Sequence, residues 1–144
     1  MKFRFKLERM LSFVKIRETM KKLEVSALIQ KVSLLEKRKD SLREGINQLL
    51  EKQKERLQYG TEWLAFLSQK IEQDNKETLK LERLIRKEKE DLENKRYELG
   101  VISMRRKGLE SLKEKRFSDF KIDERRKSQK RLDQNYELLK GRIE

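Results

Sequence analysis

The sequence predicts an all-α protein: two long helices in an antiparallel coiled-coil hairpin, the second helix longer and projecting past the first. Three observations predict it. Val25, Leu28, Val32, Leu35, Leu42, Ile46 and Leu49 alternate three and four apart, the spacing of a coiled-coil seam. The chain has no proline, so helices can run unbroken for many turns, and its five glycines are the only strong breakers. Of 144 residues, 45% are charged and only 35% hydrophobic, which is too little to fill one compact core but enough for a thin seam with charged flanks.

Phe3, Phe5 and Leu7 alternate before Leu7, Met10, Leu11 and Val14 settle into helical spacing, so a first helix is expected over about 3–57. With Leu11 at heptad position a and Val14 at d, the frame weakens at Glu18 and Lys21, strengthens from Val25 to Leu49 and fades at Gln53 and Arg56. Gly45 lies inside a strong heptad and is expected to be tolerated at about 1 kcal/mol against alanine. Gly60 stands where the frame expires, beside Thr61 as an N-cap, so the turn is expected at about 58–62.

A second helix is expected over about 63–140. Its frame runs from Leu64 (a) and Leu67 (d) through Ile71, Leu81, Ile85, Leu92, Leu99, Ile102 and Leu109, with polar interruptions at Asp74, Thr78, Glu88, Lys95 and Arg106. Folding about Gly60 pairs residues whose numbers sum to about 120, which sets Leu28 on Leu92, Leu35 on Ile85, Leu49 on Ile71 and Phe3 on Phe117. Val32 then faces Glu88 and Ile46 faces Asp74, poor layers for a carboxylate on a short stem. A slip of one heptad, with sums of about 127, repairs several layers but moves the midpoint away from Gly60. The turn at the glycine is the preferred reading, with the register left open between the two. At 1.5 Å per residue a first helix of nearly 60 residues spans roughly 85 Å and the second about 125 Å. The last 20 to 25 residues or so, with the stripe Leu132, Tyr136, Leu139 and Ile143, are left without a partner in the chain.

The absence of histidine and cysteine removes the usual general base, the thiolate nucleophile, disulfides and the commonest metal ligands. Phosphate loops, dinucleotide fingerprints and metalloprotease motifs are missing too. No catalytic, cofactor or metal site is therefore expected, and the chain is not read as an enzyme. No apolar run is long enough to span a bilayer, and charges at Lys6, Glu8, Arg9, Lys15 and Arg17 interrupt any signal-peptide centre, so a cytoplasmic location is expected. The net charge of +13 favours acidic partners. Nucleic acid is not the expected one, because the basic runs Arg105 to Lys107 and Arg125 to Arg131 lack interleaved aromatic platforms and any groove-reading motif. Trp63 and Phe66 lie off the second frame, either as a partner contact or as packing for the turn.

The opening Met1 to Glu8 leading into a basic helix, the aromatics Trp63 and Phe66 after the turn, and the segment 124–134 with Gln129, Lys130, Leu132 and Asp133 together resemble the FliJ family. Those are coiled-coil proteins of the bacterial flagellar type III export apparatus. The resemblance covers essentially the whole length, and Gln134 stands where the family commonly has an acidic residue. It implies a stalk, similar to that of rotary ATP synthases, which enters the ring of the export ATPase FliI and promotes its hexamer. It further implies contact with the export gate protein FlhA, binding of substrate-specific export chaperones, and a location peripheral to the inner membrane in a motility system. The implied gate patch falls nearest Trp63, Phe66 and Leu67, although the sequence diverges from the family beyond Lys70. The ATPase-docking end is expected to carry Phe3, Phe5, Leu7, Arg125, Arg126, Leu132, Tyr136, Leu139 and Ile143. The alternatives are a self-associating structural coiled coil, favoured by β-branched a positions with leucine at d, and a basic nucleic-acid-binding hairpin.

Overall fold

The computed structural model describes residues 2–55 and 60–143. Two helices account for nearly all of them: α1, Glu8–Glu55, and α2, Gly60–Ile143, with no strand among the described residues. The fold is the all-α pair of antiparallel helices that the heptads require. Packing divides it into two units, Met20–Leu99 in one and Met1–Thr19 with Gly100–Glu144 in the other.

In the unit from Met20 to Leu99, Lys21 meets Glu98, Lys31 meets Glu88 and Gln53 meets Ser68, pairs whose numbers sum to about 120. Pairs on the two flanks of the seam bracket that value, with Glu36 on Lys89 and Arg43 on Glu82 to one side and Arg38 on Glu77 to the other. The helices therefore pair in the register centred on Gly60, and the one-heptad slip is excluded. Val25, Val32 and Ile46 of α1 are buried against Leu67, Leu81, Ile85 and Leu92 of α2.

The two poor layers survive because cations reach them. Glu88 is buried beside Val32, yet its carboxylate accepts a hydrogen bond from Lys31 Nζ at 3.0 Å. Asp74 is buried near Ile46 and lies 3.2 Å from Lys70 Nζ, one helical turn away. The Thr78 hydroxyl donates to the Asp74 carbonyl at 2.8 Å. A buried carboxylate is most costly when it is unpaired, and among the described residues no buried side-chain nitrogen or oxygen lacks a hydrogen-bond partner.

α1 begins at Glu8, not near residue 3. The alternating Phe3 and Phe5 are better used outside a helix, where an extended segment turns both rings to one side. The chain enters the helix through a turn in which Glu8 N–H donates to the Phe5 carbonyl at 3.1 Å, followed by Leu11 N–H to the Leu7 carbonyl at 2.9 Å. α2 begins at Gly60 and carries Glu62 in its first turn, where a carboxylate favours the positive helix end. Residues 60–62 thus belong to the helix and not to the expected turn, while 58 and 59 lie outside the described residues. Gly60 has φ +81°, a left-handed conformation that glycine adopts without steric cost.

A charged network surrounds Lys21. Its ammonium lies 2.7 Å from Glu98 and 3.2 Å from Glu24, with Lys95 a further 3.6 Å from Glu24. The Glu98 hydrogen bond, then that of Glu24, raises the Lys21 pKa above the usual lysine range. Lys21 in turn, and then Lys95, holds Glu24 below the usual carboxylate range, and Lys89 does the same for Glu36. Depressed carboxylates stabilise the fold above about pH 4.3 and lose that contribution as pH falls further, whereas the raised lysine contributes below about pH 10.4 and loses it as pH rises. With no histidine in the chain, the urea midpoint is expected to stay flat from about pH 6 to 9 and to fall on either side of that window. A step between pH 6 and 8 would contradict this assignment.

Candidate docking surfaces

The unit from Met20 to Leu99 contains the expected gate patch. Trp63 and Phe66, three apart on the first turns of α2, stack with ring centroids 6.1 Å apart and planes inclined by 24°. Phe66 is 60% exposed and Trp63 is at the edge of exposure. Leu67 is only 2% exposed, so its place in the patch is corrected: it is a seam residue that holds up the aromatic pair and offers no surface of its own. The physical reason is its d position, which points between the helices, whereas Trp63 and Phe66 lie outside that stripe.

The unit formed by Met1–Thr19 and Gly100–Glu144 contains the expected ATPase-docking end. Phe3 sits between Phe117 and Phe120, at centroid distances of 5.2 and 5.6 Å, and Phe5 is buried beneath the Arg116 guanidinium, 5.7 Å from its ring. Leu7 is half-buried at the mouth of α1. Phe3 and Phe5 fasten the N-terminal segment to α2; Phe5 is buried and offers no surface of its own, which corrects its reading as a contact for a partner, while Phe3 and Leu7 are half-buried. Aromatic contacts of this kind add about 0.5–1.5 kcal/mol to simple burial.

A feature missed by sequence pattern lies in the same unit. Glu18, 5% exposed, accepts a hydrogen bond from Arg106 Nε at 2.7 Å, while Arg106 Nη1 reaches Glu110 at 2.8 Å. The Glu18 bond, followed by the charge of Glu110, raises the arginine pKa further. Glu18 and Arg106 each appear as a fault in their own frame. Only the register shows that the two faults meet and cancel.

Beyond Phe120, α2 continues as a helix, and among the residues whose side chains are described, 121–142, all are exposed apart from a half-buried Glu124. Leu132, Tyr136 and Leu139 share one face and are all exposed. The Ile143 side chain, which would extend that face, lies outside the described residues. Arg125 and Arg126 are exposed and carry no ion pair among the described residues. Gln129 donates to Asp133 at 3.4 Å along the same helix.

No family model, curated protein or solved structure matches the chain. Function is therefore argued from these surfaces. Among the described residues no cluster of acidic side chains is placed to hold a metal ion, and no helix is long and apolar enough to cross a membrane. The chemistry available is that of docking: a stacked aromatic pair in one unit, and in the other an unpartnered helix bearing an apolar stripe among cations.

Proposed function

We propose that the chain is a FliJ-like stalk of the bacterial flagellar export apparatus, a non-enzymatic protein that docks into the FliI ATPase ring and promotes the hexamer. It would link that ring to the FlhA gate and to export chaperones, at the cytoplasmic face of the inner membrane. The observation that carries this reading is the free part of α2. Leu132, Tyr136 and Leu139 are exposed on one face of a helix that continues past its partner, next to Arg125 and Arg126. An apolar stripe flanked by cations suits the interior of a ring with an acidic lining, where the stripe gives contact and the charges give orientation.

The experiment is capture of FliI by the full chain, by the chain ending at Phe120, and by the Leu132→Ser, Tyr136→Ser, Leu139→Ser triple variant. The serine variant keeps the length and charge of the helix and alters residues that are exposed. Expected is a loss of capture of about tenfold or more for both altered chains, together with loss of the stimulated ATPase rate. Undiminished capture by the chain ending at Phe120 would refute the proposed docking end.

A further inference from the structure

In the unit formed by Met1–Thr19 and Gly100–Glu144 the two flanks of the seam differ. One is closed by ion pairs, Glu8 to Lys113 at 2.8 Å and Lys15 to Glu110 at 3.9 Å. The other is an open groove of about 570 Å³, floored by Val14 and Leu109 and walled by Met10, Phe13 and Leu112. Met10 and Phe13 are exposed at 54% and 62%. Gly108 leaves its wall low, since a Cβ there would meet nothing within 4 Å. Arg17 and Arg105 line the rim. Among the described residues neither has an ion-pair partner, although Lys15, Arg106 and Lys113 of the same unit are all paired.

We infer that this groove is a docking site for an acidic amphipathic helix of another protein, which lays leucine-like side chains on Met10, Phe13 and Leu112 and carboxylates on Arg17 and Arg105. A channel between two helices is the shape into which a third helix packs, and anchors three and four apart on the incoming helix would reach its floor. The free guanidiniums decide the charge of the occupant, because each forms a bidentate bond with a carboxylate and repels a cation. They also argue against a second copy of this chain. The stripe Leu132, Tyr136 and Leu139 is this chain's own exposed helical face, and its surroundings hold Arg125, Arg126, Lys127, Lys130, Arg131, Lys140 and Arg142, more cations than carboxylates. The proposal concerns a face distinct from that stripe and does not depend on what the stripe binds.

The test measures binding of three labelled synthetic helices of about 20 residues, long enough to hold helical structure, to the full chain by fluorescence anisotropy. One has leucines three and four apart flanked by glutamates. A second has the same composition with the leucines scattered, and a third carries lysine in place of glutamate. The first is expected to bind about tenfold or more tightly than either of the others. Gly108→Leu puts a side chain into the groove from a position where an added Cβ meets nothing within 4 Å, and should weaken binding by about tenfold while preserving the fold, since leucine is the better helix former. The Arg17→Glu, Arg105→Glu double variant should reverse the preference toward the lysine peptide. The inference is overturned if the scattered peptide binds as well as the first, which would mean charge alone. It is likewise overturned if both sets of substitutions leave binding unchanged, or if sedimentation shows a dimer that Gly108→Leu dissociates, which would make a second copy the occupant.

Discussion

Leu67→Ala is expected to destabilise the fold by about 2–5 kcal/mol, read as a lower urea midpoint with an unchanged slope, because the side chain is almost fully buried and its removal leaves a cavity between rigid helices. Its neighbour is expected to behave differently. Phe66→Ala removes a ring that is 60% exposed and whose ring contact is to Trp63, itself at the edge of exposure, so stability should change by no more than about 0.5 kcal/mol. The contrast separates structural from docking roles between two adjacent residues. On the proposed function, the Trp63→Ala, Phe66→Ala double variant weakens FlhA binding with helicity intact, whereas Leu67→Ala acts on binding only through stability. Calorimetry showing full FlhA binding by the double variant would remove this pair from the gate contact.

The second large effect is expected at the buried ion pair. Arg106→Leu leaves the Glu18 carboxylate, 5% exposed, without the donor that lies 2.7 Å away, so the urea midpoint should fall far more than for Arg38→Leu, whose salt bridge to Glu77 is open to water. Changing both members of the pair, Glu18→Leu with Arg106→Leu, should recover most of the loss or exceed the original stability. The double variant buries apolar atoms where a charged pair was held at a desolvation cost. If Arg106→Leu and Arg38→Leu fall equally, Glu18 is hydrated and the pair is an ordinary surface contact.

How far the structure could be read from the chain follows from what each residue senses. Val25 to Leu49, the absence of proline and the position of Gly60 were enough for the two helices and their antiparallel pairing, since heptad spacing and helix breaking are local properties. The stripe Leu132, Tyr136 and Leu139 was legible for the same reason. The gate patch that the resemblance implies takes in Leu67 with Trp63 and Phe66, although the d position of Leu67 already indicates the seam.

What the sequence by itself determined is the all-α class, the two helices and the excess of helix beyond Phe120 with its apolar stripe. Each depends on periodicity and on breakers, which act within a turn or two of their own position. Only the tertiary structure decided the register, the mutual rescue of Glu18 and Arg106, the extended N-terminal segment held by Phe117 and Phe120, and the open flank of Met10, Phe13 and Gly108. Those depend on which residues, far apart in the chain, face each other across the seam. A shift of one heptad leaves every local pattern unchanged while replacing the layers that face each other across the seam.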